Sequence, residues 1–209
     1  MKTKFKFHFR SIGFVFALCV VASTGFLVSC DDDDEPTKED TPEMITKATL
    51  KFTPTGAGQA VTAVATDPDG EGVQDIGIDG PINLAANTSY NLSIELINEL
   101  AEPSDAEYNI TEEVEEEGDE HMFFFSWTND VFSDPAGDGN IDNRSDAVNY
   151  DDEDGQGQPI GLQSSWTTAA ASSGTFRVVL KHQPEIKTAT STSTTGESDL
   201  DLEFEINVQ

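Results

Sequence analysis

Leu200-Asp201-Leu202-Glu203-Phe204-Glu205-Ile206-Asn207-Val208 alternates apolar and polar residues without a break. A period of two puts successive side chains on opposite faces of a strand, one against a core and one in water. The same pattern recurs upstream. Phe176, Val178 and Leu180 alternate with Thr175, Arg177 and Lys181, and Leu92, Ile94 and Leu96 with Asn91, Ser93 and Glu95. Ala48, Leu50 and Phe52 form a further run, closed by Pro54-Thr55-Gly56. Weaker patterns predict strands over 60–66, 109–115, 121–127 and 160–168. No long stretch combines a helical period with capping residues. Seven or eight short strands separated by Gly, Pro, Asp and Asn turns predict an all-β, immunoglobulin-like antiparallel sandwich. The missing βα alternation argues against a doubly wound sheet.

The predicted core is Leu50, Phe52, Leu92, Ile94, Leu96, Phe123, Phe125, Trp127, Leu162, Trp166, Phe176, Val178, Leu180, Leu202, Phe204 and Ile206. Residues 128–159, rich in Asp, Asn and Gly, and the Ser/Thr-rich 188–198 read as loops.

Ahead of this domain, Lys2, Lys4, Lys6 and Arg10 form a basic head, and Ile12 to Val28 is an apolar run broken by small residues. That is the layout of a secretory signal. Leu27-Val28-Ser29-Cys30 follows, and then Asp31-Asp32-Asp33-Asp34-Glu35. The first four residues resemble the lipobox of bacterial lipoproteins, which implies cleavage before Cys30 and its acylation with diacylglycerol. The acidic run resembles the export tag of surface lipoproteins in the Bacteroidota, and it also reads as a solvated tether. The expected organisation is a signal at 1–29, a tether at 30–43 carrying lipidated Cys30, and one domain at 44–209. The expected location is the outer membrane, lipid-anchored and facing the cell exterior.

Cleavage removes four of the 11 Lys and Arg and none of the 40 Asp and Glu, so 7 basic residues face 40 acidic ones and the mature formal charge is −33. Such a field excludes nucleic acid and anionic lipid as partners, because phosphate binding needs a basic face. The other cysteine, Cys19, lies within the signal, so the mature chain has no internal disulfide to form.

Two turns carry oxygen side chains at alternate positions with glycine at the sixth. One is Asp67-Pro68-Asp69-Gly70-Glu71-Gly72, followed by Asp75, and the other is Asp152-Glu153-Asp154-Gly155-Gln156-Gly157. Between them, Asp138, Asn140 and Asp142 form a third oxygen-rich loop. Ca²⁺ takes six to eight oxygens, so these loops are candidate Ca²⁺ sites. The twelfth position of the two turns holds Ile78 and Gln163 where an EF-hand needs a bidentate Glu, which rules out that motif. The competing account is that Asp, Asn and Gly are ordinary turn residues.

His121 opens the aromatic run Met122-Phe123-Phe124-Phe125-Ser126-Trp127, and His182 ends the strand of Phe176 and Val178. Both sit at strand ends, where they form an alternative metal pair, or else two strand-end histidines with one hydrogen bond each. Phe123, Phe125 and Trp127 are candidates for an exposed ligand platform, for a sugar ring or a partner, as well as for the core. The sequence has no G-x-S-x-G elbow and no H-E-x-x-H helix.

Several segments resemble a group of small, uncharacterised lipoproteins of flavobacteria: Asp119-Glu120-His121; Asn149-Tyr150 with Asp152, Asp154 and Gly157 before Pro159-Ile160-Gly161; Val179 to Pro184 with Lys187; and Gly196-Glu197 with Asp199. Members often carry a label referring to the type 1 periplasmic-binding fold, a two-lobed α/β architecture that this chain does not match. The resemblance implies no activity and transfers no functional residue. The expectation is a non-catalytic envelope protein that binds a ligand or partner, with Ca²⁺ in its acidic loops and a role beside nutrient or glycan uptake. The alternatives are a transition-metal-capturing protein and, last, a carboxylate-based hydrolase.

Overall fold

A computed structural model describes residues 43–70, 76–142 and 146–209. The signal, Cys30, Glu71 and Asp75 lie outside the described residues. Within them the chain is an all-β sandwich of two packed sheets. In chain order the strands are β1 (Lys47–Pro54), β2 (Val61–Thr66), β3 (Gly77–Ile78), β4 (Ile82–Leu84), β5 (Ser89–Ile97), β6 (His121–Trp127), β7 (Phe132–Asp134), β8 (Gln163–Thr168), β9 (Ser172–His182) and β10 (Glu197–Val208), with a helix α1 (Ile110–Glu116) between β5 and β6. One sheet has the order β3-β2-β1-β5-β8-β7 and the other β4-β10-β9-β6.

Three features depart from the sequence reading. Short β3, β4 and β7 bring the strands to ten among the described residues. β4 runs parallel to β10. The strand expected over 109–115 falls instead on the helix at 110–116. Ile110 and Val114 are both buried and stand four apart, so one helical stripe buries what a strand would have split between two faces. Glu112 and Glu113 lie in the first turn, where the helix dipole favours negative charge. Thr111 docks α1 on β5: its Oγ1 accepts the Leu96 N–H at 2.7 Å and donates to the Leu96 carbonyl at 3.1 Å.

Every residue assigned to the core from alternation is buried. At its centre Trp166 meets Trp127 and Phe176 edge-on, each at 5.2 Å between ring centroids, the geometry preferred by ring quadrupoles. β6 closes one edge of its sheet, yet its outer backbone is not bare. Phe123 N–H donates to Ile160 O at 2.7 Å, Trp127 N–H to Asp138 O at 3.0 Å, and Asn140 N–H to Phe125 O at 2.8 Å. The loops over β6 thus shield an edge that would otherwise invite pairing with another chain. Gly139 makes this possible: a Cβ there would sit 2.0 Å from Phe125 O, and its φ is +99°.

Candidate metal centre

The inward row of β6 is His121, Phe123, Phe125 and Trp127, and that of β9 is Phe176, Val178, Leu180 and His182. Each apolar row therefore ends in an imidazole at the same end of the sandwich. His121 and His182 are direct partners in the antiparallel register. Their rings stack with centroids 4.7 Å apart and planes 7° from parallel.

A third group reaches this end through a bulge. Ser198 pairs with Lys181 and Leu200 with Leu180, leaving Asp199 as an extra residue in β10. An extra residue re-aims its side chain, and the Asp199 carboxylate has no exposed surface. Gly196 helps set this up, since a Cβ there would lie 2.0 Å from His182 O. Glu113 on α1 and Glu117, the residue that caps its C-terminus one turn further on, supply two more carboxylates. Glu43, two residues before buried Ile45, supplies a fourth; its ligand atom and those of Glu113 and Glu117 lie within 4.8 Å of one another.

His121 Nδ1 lies 3.1 Å from the Glu117 carbonyl oxygen. A carbonyl only accepts, so Nδ1 carries the hydrogen and Nε2 the lone pair. Nε2 is fully buried, has no hydrogen-bond partner among the described residues, and lies 3.8 Å from both Glu43 Oε1 and Asp199 Oδ2. Burial pushes the His121 pKa down to about 4, so the ring is neutral at pH 7 and these contacts are not ion pairs. Burial, reinforced by the charges of Glu113, Asp199 and Glu117, pushes Glu43 up to about 8. Burial likewise raises Asp199 to about 6. A lone pair thus faces two carboxyl groups across a gap where a positive species, proton or metal ion, lowers the energy.

His182 is brought to His121 as the sequence suggested, but not as a co-ligand. The rings occupy parallel planes, so one ion cannot lie in the plane of both. His182 Nε2 lies instead 3.5 Å from Glu120 Oε2.

The acidic loops fare differently from one another. Asp67 Oδ1 accepts the N–H groups of Asp69 and Gly70, both at 3.2 Å, as in an ordinary Asx turn, and Asp69 is exposed. Asn140 is wholly buried and committed to the protein: Oδ1 accepts the Phe125 N–H at 3.0 Å and Nδ2 donates to Tyr150 Oη at 2.8 Å. Asp152 accepts the N–H groups of Gly161 and Gln163. Asp154 accepts those of Gln156 and Gln158, and its other oxygen pairs with buried Lys187 at 2.9 Å. Gln156 is exposed. Asp152 and Asp154 border a cleft of about 520 Å³ with Glu115, Glu116, Asp119 and Glu153. Asp138 and Asp142 do come together, joined by Asp146, their carboxylates within 4.8 Å of one another near the surface.

The platform expectation is corrected. Phe123, Phe125 and Trp127 are at most 2 % exposed and fill the space between the sheets. The opposite face of β6 is covered too, since Met122 and Phe124 pack with Val179, Ile141 and Tyr150. A strand covered on both faces reads as a continuous apolar run, and no ring is left for stacking.

The fold and this centre define an all-β sandwich with a buried histidine–carboxylate cluster at one end. Comparison with protein-family models, with curated proteins and with solved structures finds no match to the chain.

Proposed function

We propose that this is a non-catalytic, lipid-anchored envelope protein that captures a divalent transition metal at the His121 end of its sandwich. The observation that carries the reading is the buried, unpartnered Nε2 of neutral His121, aimed at the carboxyl groups of Glu43 and Asp199. One imidazole nitrogen with carboxylate oxygens is a donor set suited to Zn²⁺ and its neighbours, whereas Ca²⁺ takes oxygen alone. The Nδ1–H bond to Glu117 O fixes the ring and its tautomer, as backbone acceptors do for metal-bound histidines. His121 and Asp199 are both fully buried, which favours capture of a bare ion over turnover of a larger molecule. A cell-surface address, implied by the Cys30 lipobox and the acidic run behind it, suits such a role. The glycan-uptake reading loses its contact surface with the burial of Phe123, Phe125 and Trp127.

Calorimetric titration of the mature chain with Zn²⁺ tests this. Wild type binds saturably, and Asp199→Asn, which keeps the shape and removes the charge, weakens binding at least tenfold. Circular dichroism confirms that the variant is folded. Absence of binding to wild type, or equal binding by the folded variant, refutes the reading.

A further inference from the structure

Glu43 is the residue with which the acidic tether ends, and nothing in its sequence context sets it apart from the solvated acids before it. Its side chain is nonetheless only 7 % exposed. Its carboxyl hydrogen-bonds Glu113, its backbone N–H faces Asp199, and Oε1 lies 3.8 Å from His121 Nε2. Regular backbone pairing of this segment begins only at Thr46, whose N–H donates to Ile97 O at 3.0 Å. Met44 is 36 % exposed. What holds residues 43–45 to the domain is therefore the burial of Ile45, the Glu43 N–H at Asp199 and the placement of the Glu43 carboxyl. That carboxyl sits among Glu113, Glu117 and Asp199, where like charges oppose it unless a positive species lies between them.

We propose that Glu43 is a ligand of the same ion as His121 and Asp199, so that the ion fastens the end of the tether to the sandwich. This rests on the metal-binding reading above. Metal occupancy then sets how firmly Glu43 is held against the domain. The two carboxylates come from opposite ends of the chain, one before β1 and one in β10, and the nitrogen comes from β6. Ion binding thereby joins the start of the domain to its last strand, in the manner of a cross-link that exists only when the metal is present.

Hydrogen–deuterium exchange on the full mature chain, with and without saturating ZnCl₂, tests the proposal alongside calorimetry. Zn²⁺ is expected to slow exchange at the Met44 and Ile45 N–H groups at least tenfold, with a smaller effect at Leu50 in the middle of β1. Glu43→Gln abolishes that local slowing and weakens Zn²⁺ binding at least tenfold, and Glu43→Asp, which keeps the charge, retains part of both. Zn²⁺ binding without local slowing, equal slowing at Leu50, or equal affinity in Glu43→Gln overturns the role of Glu43 and leaves the metal site standing. No Zn²⁺ binding by wild type overturns both.

Discussion

His121 and His182 face each other across the β6–β9 pair with their rings 4.7 Å apart and nearly parallel, yet their chemistry differs. His121 Nε2 looks toward Glu43 and Asp199, whereas His182 Nε2 looks toward Glu120. The stack continues the aromatic packing of the core to its very end, and its two buried Nε2 atoms face different carboxyl groups.

That asymmetry predicts opposite outcomes for two matched substitutions. His121→Phe keeps a flat ring in a buried site and removes two nitrogens, Nε2, which has no hydrogen-bond partner among the described residues, and Nδ1, which donates to Glu117 O. Relief of the unsatisfied atom, about 1–3 kcal/mol, offsets the lost hydrogen bond, about 0.5–1.5 kcal/mol, and the carbonyl it leaves behind, so the metal-free variant is expected to melt within a few degrees of wild type while losing any stabilisation by Zn²⁺. His182→Phe retains the Zn²⁺ response. Thermal melts with and without Zn²⁺ decide it, and loss of the response in both variants, or in neither, contradicts the asymmetry.

The shifted pKa values of three clustered groups give the metal-free protein an unusual pH profile. Glu43 is faced by Glu113 of α1 and Glu117 at its C-cap, by Asp199 of β10 and by His121 of β6. Its pKa rises from an ordinary 4.5 to about 8, so between those values the folded state holds a proton that the unfolded state has released. Stability from this group is complete below pH 4.5 and is lost as pH rises toward 8. Asp199 acts in the same direction but is finished near pH 6, and His121, lowered from 6.5 to about 4, acts in the opposite direction and is finished by 6.5. Between pH 6.5 and 8, of these three, Glu43 alone remains. Metal-free stability is expected to decline across that window with a slope of at most about 1.4 kcal/mol per pH unit. With excess Zn²⁺ the slope reverses, because metal ligands must be deprotonated. Urea titrations at several pH values measure this; a flat metal-free profile that Glu43→Gln leaves unchanged contradicts it.

Lys187 and Asp154 form an ion pair whose side chains are 1 % and 3 % exposed, and the Lys187 ammonium also donates to Gly118 O at 2.5 Å. It ties the turn at 152–157 to the segment after α1. Burial lowers the Lys187 pKa against the pull of Asp154. Removing one partner of a buried pair strands the other charge, at about 3–5 kcal/mol. Lys187→Met is expected to cost that much in chemical denaturation, and adding Asp154→Asn, which still accepts backbone N–H groups, to recover part of it. A cost below about 1 kcal/mol in the single variant argues that water reaches the pair.

What the residue pattern disclosed follows from how each feature is encoded. Alternation is local and periodic, so the long strands and the part of the core they carry were readable from runs such as Leu200 to Val208, whereas buried Ile82, Leu84, Ile110, Val114 and Phe132, on short elements, were not. β4 and β7 have three residues each, too short for a period to show. α1 was hidden because Ile110 and Thr111 resemble strand residues, although Ile110 and Val114 at four-residue spacing were the available signal. The candidate centre was half visible. His121 and His182 stood at strand ends, and antiparallel register brought them together. Glu43 was read as the end of the tether, and Glu113, Glu117 and Asp199 were not singled out as site residues, because composition does not reveal which of 40 acids is buried.

Asp199 offers the sharpest test, because its inward direction depends on being one residue too many. Ser198 pairs with Lys181 and Leu200 with Leu180, and Lys181 and Leu180 are consecutive in β9. Deleting Asp199 therefore makes the two strands commensurate. Ser198 stays opposite Lys181, with which it shares a 2.9 Å hydrogen bond, and Leu200 stays on the core face. Nothing in the apolar row from Leu200 to Val208 changes register, so the slip that would turn a whole strand inside out does not arise. The deletion also removes a buried carboxylate whose pKa is raised by its surroundings, a local strain on the metal-free fold. The deletion variant is expected to fold, to melt within a few degrees of wild type without metal, and to lose Zn²⁺ binding at least tenfold. A folded variant that binds Zn²⁺ as wild type does would show that the bulge serves the strand and not the ion. Should the deletion fail to fold, Asp199→Asn separates the two roles, because it preserves the bulge and removes only the charge.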